Sequence, residues 1–272
     1  MRTRYVKSPS EIQRLEEINA SPAFLRSTSL NVTFLSDPDV IRELLPPPLE
    51  PAVAPRVSIS VYEFAESNCV GPFNGASVNI SCEFNREGGL YCLTMPMSTD
   101  TAVIFGRELY AEPKKLARCS VERNDRFVRG IVERHGVTYI EITGLFDEPL
   151  ADIQRETVSQ HYYFKYLPDA AGRGLTFDPQ LVRVTHRGRT HQLTRGAGTI
   201  VLRESPHDPV IDIPVLEVES ATFSHGETHT SAKVVATVPA ATFLPWAFGK
   251  QDDLAVFAGP TSFNHGTAAL SS

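Results

Sequence analysis

Two hydrophobic patterns run along the chain, and the dominant one is the alternation of apolar and polar side chains that is typical of β-strands. Residues 57–62 and 78–84 alternate in this way, with serine and asparagine prominent among their polar positions. Further strand-like stretches, separated by Gly, Asn and Pro clusters, lie near residues 91–95, 101–105, 127–134, 137–142, 158–166, 180–185, 199–203 and 232–238. About ten short strands with few helices predict an α+β fold that is predominantly antiparallel β, curled or closed on itself.

The second pattern, with helical spacing, is confined to the N-terminal region. Ser8 or Ser10 is suited to cap a helix that runs to about Ile18. A second helix begins at Asp37, which is followed by a proline and a carboxylate in the first turn, and it ends at the prolines of residues 46–48. We therefore expect a helical N-terminal segment that packs on a β-rich body.

Length, composition and charge limit the classes of protein to consider. The 272 residues, 42% of them hydrophobic, predict a single domain over residues 1–272, with 1–50 as its helical segment. No stretch approaches the roughly 18 apolar residues of a membrane helix, and the first residues contain no apolar signal core. The net charge of -6 argues against a nucleic-acid partner. The four cysteines show no C-x-x-C spacing, which indicates reduced thiols and predicts a cytoplasmic protein.

An adjacent lysine pair is the most informative feature for chemistry. Only six of the 26 basic residues are lysine, and Lys114 and Lys115 follow Pro113 and the apolar stretch 102–105. Most lysine doublets are solvated surface charge. Beside a core, however, burial and mutual repulsion lower a lysine pKa and leave a free amine. Such an amine attacks a ketone to give a carbinolamine and then an iminium, which acts as an electron sink.

The segment around the pair resembles the active-site segment of the acetoacetate decarboxylase superfamily. The shared string is G-R-E-L-Y-x-x-P-K-K-L, and the S-P-A-F of residues 21–24 and the helix and P-x-P-L-E of residues 37–50 resemble the family as well. The resemblance covers about residues 21–118. It implies that Lys114 is the Schiff-base lysine and that Lys115 lowers its pKa. Acetoacetate decarboxylase is itself the established example of a lysine that is activated by a neighbouring cation. It also implies a cone-like or closed β-barrel, a homo-oligomer, a small keto acid substrate, and no metal or organic cofactor.

Three polar positions depart from the decarboxylases. The arginine that helps the substrate carboxylate in the family aligns with Ser27, so that Arg26 is the available substitute. One family glutamate aligns with Ser60, and another aligns with Asn74 or Gly75. We therefore expect Arg26 and Asn74 to contribute to substrate binding in a rebuilt pocket.

Proton transfer needs another group near the lysine. Glu63 and Glu66 lie close to the replaced glutamate, and Tyr110 stands four positions before Lys114, where aldolase–dehydratase relatives place a polar residue that lines the pocket. A carboxyl group in an apolar pocket is pushed towards a neutral pKa and can serve as acid or base. Trp246, in the C-terminal region, is expected to line the pocket wall.

These observations favour a Schiff-base lyase that acts on a small keto acid. Because the decarboxylase positions are replaced, aldolase–dehydratase or dehydratase–cyclase chemistry is favoured over decarboxylation of an acetoacetate-type β-keto acid. A non-catalytic β-barrel that binds a small ligand stays open as the alternative of a different class. The pair His225 and His229 lies in strand-like sequence rather than on a helix, so no metal site is predicted there.

Overall fold

Strands dominate the computed structural model, which describes residues 3–149 and 151–259. Twelve strands are found in these ranges. They are β1 Ala23–Leu35, β2 Glu50–Pro51, β3 Arg56–Ser67, β4 Phe73–Phe84, β5 Glu87–Met97, β6 Lys114–Leu116, β7 Arg118–Asn124, β8 Phe127–Arg134, β9 Val137–Leu145, β10 Ala151–Lys165, β11 Gln180–Leu202 and β12 Glu217–Thr237. The helices are α1 Pro9–Ala20, α2 Pro38–Leu44, α3 Asp100–Leu109, α4 Ala240–Phe243 and α5 Leu254–Ala258, with 3-10 turns at Val210–Asp212 and Leu244–Trp246. The predicted class, α+β with predominantly antiparallel strands, is confirmed.

The strand pairings form a ring with a second layer beside it. Their order is β10-β5-β4-β3-β1-β12-β11, and β10 also pairs with β11, so that the path returns to its start. The link between β10 and β5 is parallel and involves two residue pairs. The C-terminal part of β11 pairs with β9, and the sheet extends from there through β8 to β7. These three strands form the second layer, which packs against β1, β3 and β4. We call the interior space enclosed by the ring strands the ring cavity.

The alternation in β1, β3 and β4 divides their side chains between two environments. Leu30, Val32 and their apolar counterparts in β3 and β4 are fully buried in the core that lies between the ring and the second layer. The intervening polar residues, such as Asn31 and Ser60, line the ring cavity. Because successive side chains of a strand point to opposite faces, the polar face predicted from sequence is an interior wall here.

Both predicted N-terminal helices are confirmed, and each begins at an N-cap residue whose side chain accepts hydrogen bonds from the backbone of its first turn. Ser8 caps α1 in a capping box with Glu11, and Asp37 caps α2 through the backbone amides of its first turn. In α2, Ile41 is buried in the core, whereas α1 has no buried residue. None of the helices in the described ranges is long and apolar enough to cross a membrane.

Three expectations about the elements were wrong or incomplete. The apolar stretch 102–105 lies in helix α3, whose N-cap Thr99 binds the amide of Ala102, and a short apolar run does not separate strand from helix. The segment 1–50 is not purely helical, because β1 within it is a central ring strand. The stretches 180–185 and 199–203 belong to the single long strand β11.

We predict that Gly130→Ala destabilises the fold, because Gly130 on β8 allows close contact between the two layers. A Cβ at this position would lie 2.8 Å from the Cβ of Val61 and 3.3 Å from Ile142. Overpacking of this kind costs about 1–3 kcal/mol, measurable by urea denaturation. Gly88→Ala is the matched control, since a Cβ there meets open space. Equal stability of the two variants would contradict close packing at Gly130.

Candidate active site

Lys114 is buried at the wall of the ring cavity. It begins β6, which pairs in parallel with β5, and its backbone lies beside Met95. The side chain is only 6% exposed although it carries an ammonium group. The cavity it lines has a volume of about 320 Å³, within the usual range for a small-molecule pocket. A buried amine beside a cavity of this size has the placement that covalent chemistry on a carbonyl requires.

Glu112 provides the charge partner of this lysine. Its Oε2 lies 2.7 Å from Nζ of Lys114, and its side chain is likewise buried. Both side chains lie close against helix α3, and this close packing depends on Gly106. A Cβ at this position would stand 2.1 Å from Oε2 of Glu112 and 2.5 Å from Nζ of Lys114. After the helix, Ala111 adopts a positive φ of 61°, and the amide of Glu112 donates to the carbonyl of Gly106. The turn that ends α3 therefore carries the carboxylate to the amine.

Lys115 points to the opposite side of β6. It lines a second cavity of about 270 Å³, called here the rear cavity. Its ammonium donates to the carbonyl of His207 at 2.8 Å and to Oδ1 of Asp208 at 3.0 Å, and Asp252 lies 3.5 Å away. Arg134 bridges the same two aspartates. The predicted arrangement, in which two ammonium groups repel each other in one site, is replaced by an ion-paired lysine at the rear.

A third lysine, Lys250, is partly buried and also lines the rear cavity, although no role was predicted for it. Burial lowers the pKa of Lys250 to about 7, and the nearby Arg107 adds to the effect. Its ammonium donates to the carbonyls of Ala111 and Phe164 and lies 4.5 Å from the ring centre of Tyr166. Lys250 therefore ties the C-terminal segment to the loop that carries Glu112.

Four of the sequence candidates lie outside the ring cavity. The carboxylate of Glu63 accepts from Nδ2 of Asn74 at 3.3 Å on the other face of the sheet. Glu66 and Arg26 form an ion pair of 3.2 Å at the surface. Because Tyr62 faces the cavity, its neighbour Glu63 has to face away from it. The proposed catalytic and substrate-binding roles of these four residues are not supported by their positions.

The two remaining candidates, Tyr110 and Trp246, also lie outside the lining of the ring cavity. Tyr110 is buried in an apolar cluster beside the ring cavity, and its hydroxyl lies 3.3 Å from Oγ1 of Thr230. Burial raises the pKa of Tyr110, which keeps the phenol protonated. Trp246 lines the rear cavity, and its indole donates to the carbonyl of Glu43. Neither residue is among those that line the ring cavity.

Two histidines that the sequence analysis did not select line the ring cavity. His161 of β10 and His186 of β11 have ring centres 4.3 Å apart. Burial lowers both pKa values, that of His186 to about 4 with a further contribution from Lys114. Both imidazoles are therefore neutral near pH 7. Only the alternation in β10 and β11 could have indicated that these side chains face inward.

Neutral polar side chains cover the wall of the cavity that β1, β3 and β4 form. This polar wall consists of Ser29, Asn31, Ser58, Ser60, Ser77 and Asn79. Nδ2 of Asn31 donates to Oγ of Ser60 at 2.7 Å, and Nδ2 of Asn79 donates to Oγ of Ser77 at 2.9 Å. Ser27, which aligns with the family arginine, also lines the cavity, and no arginine is among the described residues that do so.

Comparisons with known proteins agree with this architecture. A family model described as acetoacetate decarboxylase matches residues 7–238. The acetoacetate decarboxylases of Burkholderia cenocepacia and Burkholderia multivorans are each 29% identical over 205 residues, which cover 73% of this chain and 81% of the relative. The match therefore includes most of both chains.

Solved structures share the fold. Acetoacetate decarboxylase from Legionella pneumophila superposes with a TM-score of 0.72 at 18% identity, covering 79% of this chain and 87% of that one. The enduracididine biosynthesis enzyme MppR gives a TM-score of 0.65 at 19% identity, covering 79% and 88%. An acetoacetate decarboxylase-like enzyme from Sphingomonas wittichii gives 0.66 at 17% identity, covering 81% and 94%. With a family model that spans most of its length, the chain belongs to the acetoacetate decarboxylase family, a family of lyases.

Proposed function

We propose that this enzyme binds a small keto acid covalently, as an iminium on Lys114, and catalyses an aldol–dehydration type of reaction. The observation that carries the proposal is the buried Lys114 amine, which lies 2.7 Å from the Glu112 carboxylate inside the ring cavity. We further propose that the reaction needs no metal or organic cofactor, because the iminium itself accepts the electrons of the breaking bond.

Glu112 has the position of the acid and base for iminium formation. It takes a proton from the Lys114 ammonium, and the free amine then attacks the carbonyl carbon to give a carbinolamine. Glu112 returns the proton to the carbinolamine hydroxyl, which leaves as water and yields the iminium. The carboxylate then stands beside the new positive charge, which it stabilises strongly because both side chains are buried.

The polarity of the ring cavity supports the choice of sub-class. Its lining offers a wall of neutral hydroxyl and amide groups and two neutral imidazoles, and no arginine is among the described residues that line it. The glutamates that do line it, Glu112 and Glu227, do not stand at the positions that align with the two family glutamates. The neutral groups of this lining suit a substrate that carries neutral polar groups, such as the hydroxyl group that an aldol reaction forms and a dehydration removes. One solved structure of MppR is described as a complex with pyruvate, and another as a complex with the condensation product of pyruvate and an aldehyde.

Decarboxylation of a β-keto acid is the second candidate, since the curated relatives are named acetoacetate decarboxylases. Release of carbon dioxide from acetoacetate would assign the enzyme to that sub-class. A non-catalytic binding protein would form no covalent adduct with either acid. The homo-oligomer and the cytoplasmic location implied earlier stay predictions.

Borohydride trapping tests the role of Lys114. We expect that incubation with pyruvate or acetoacetate followed by reduction gives one stable mass adduct, and that Lys114→Met abolishes it. Lys233→Met, which alters an exposed lysine of β12, is the matched control and should retain the adduct. An adduct that persists in folded Lys114→Met, or none in the wild-type enzyme, would reject the iminium mechanism.

Glu112→Gln should slow adduct formation about 100-fold, because the amide fills the same space but neither takes nor returns the proton. The rate is measured by quenching the reaction with borohydride at increasing times. Glu108→Gln, an exposed position on α3, is the control and should react at the wild-type rate. An unchanged or faster rate in Glu112→Gln would show that the carboxylate is not the proton acceptor.

Lys115→Met should destabilise the fold without removing the adduct. The substitution leaves buried aspartate charge without one of its partners, and the loss from breaking a buried pair is about 3 kcal/mol, measurable by urea denaturation. At a temperature where the variant is folded, pyruvate should still be trapped on Lys114. Failure of trapping in the folded variant would favour a direct role of Lys115 at the reacting amine.

A further inference from the structure

The composition of the polar wall indicates which chemical groups it can bind. Its six side chains carry hydroxyl or amide groups and no charge, and they come from inward-facing positions of three adjacent strands. Residues Asn31, Ser60 and Ser77 lie side by side across β1, β3 and β4, and Ser58 lies opposite Asn79 in the next row. The opposite end of this face is aromatic, with Phe64 paired to Phe73. The ring cavity therefore has a polar part and an apolar part.

The polar part contains hydrogen-bonding capacity that the protein leaves unused. Asn79 is only 5% exposed, and its Oδ1 has no hydrogen-bond partner within the protein. Each serine hydroxyl offers one donor and two acceptor positions, and the bonds within the wall use only some of them. Buried polar groups of native proteins nearly always have hydrogen-bond partners. A ligand that fills this part of the cavity must therefore supply hydrogen-bond donors and acceptors to the wall.

The chemistry of the wall selects among polar ligands. A second carboxylate would need a cationic partner, and no arginine or second lysine is among the described residues that line the cavity. An alkyl chain would leave the wall groups unsatisfied, which is costly for those that are buried, Ser77 and Asn79. A hydroxyl group both donates and accepts, so it matches serine and asparagine side chains equally well.

We propose that the polar wall is the binding subsite for a hydroxylated chain, and that the substrate is a 2-oxo acid with hydroxyl groups from its fourth carbon onwards. This inference rests on the proposed function, because the carbonyl must reach Lys114. The carbonyl carbon is held as the iminium, and the hydroxylated chain extends along the strands β1, β3 and β4.

Such a substrate also provides the leaving group of a dehydration. The iminium acidifies the third carbon, which loses a proton to the carboxylate of Glu112 to give an enamine. The enamine electrons then re-form the iminium and a double bond between the third and fourth carbons, while the bond from the fourth carbon to its hydroxyl breaks. Glu112 returns the proton to the leaving hydroxide. One water is eliminated, and no oxidant or reductant is consumed.

The test compares two acids of equal length by borohydride trapping on the wild-type enzyme. One is 2-oxo-3-deoxygluconate, which has hydroxyl groups on its last three carbons, and the other is 2-oxohexanoate, which has none. Pyruvate, which is too short to extend far along the wall, is run beside them. We expect the hydroxylated acid to reach half-maximal trapping at a concentration about tenfold lower than 2-oxohexanoate, the effect of one or two neutral hydrogen bonds.

Variants then locate the effect. In the double variant Ser60→Ala with Ser77→Ala, the concentration of the hydroxylated acid that gives half-maximal trapping should rise, so that its tenfold preference over 2-oxohexanoate shrinks towards one. Ser81→Ala is the matched control, because Ser81 lies on β4 two residues beyond Asn79 and does not line the cavity, and it should keep the preference.

The outcomes separate this inference from the function on which it rests. Equal or better trapping of 2-oxohexanoate, or trapping of pyruvate alone, would overturn the hydroxylated substrate and leave the Schiff-base lyase intact. A preference that survives in a folded double variant would overturn the assignment to the polar wall. No adduct with any of the three acids would overturn the proposed function itself.

Discussion

The alternation of side chains along a strand is the constraint on which the site depends. In the ring strands β1, β3 and β4, it places one set of residues in the apolar core and the other set in the ring cavity. In β6 the same constraint places Lys114 at the ring cavity and Lys115 at the rear cavity. Adjacent lysines that appear equivalent in the sequence therefore differ in partner, surroundings and role.

The Lys114–Glu112 pair is costly to bury and useful for chemistry. Removing two charges from water is repaid only when the geometry of the pair is good, so a buried pair is weak evidence for stability. At a reacting amine, however, the carboxylate has a function as proton acceptor and as counter-charge for an iminium. The missing side chain of Gly106 is what lets α3 lie against both groups. This glycine was in the string that indicated the family, but its steric role appears only when the chain is folded.

The sequence predicted what depends on local patterns. Ser8 and Asp37 marked the helix starts, the period of two marked the β-rich body, and the segment before Lys114 indicated the site. The rest depended on long-range placement. Glu63 was assigned to the wrong face, because a shift of one residue reverses the direction of every side chain in a strand. The facing of His186 depends on the pairing of β11 with β10, which local sequence does not fix.

The rear network holds Lys114 in place without touching its amine. Lys115 is bound by Asp208, which also binds Arg134, and Arg134 binds Asp252 in turn. Although burial acts to raise it, the pKa of Asp252 is lowered to about 2 by its partners, mainly Arg134, so this carboxylate remains ionised near neutral pH. Neighbouring residues of a strand cannot move independently, and fixing Lys115 from behind therefore also fixes the backbone of Lys114. The ion-paired Lys115 thus serves to position the strand, a role separate from the chemistry that its neighbour performs in the ring cavity.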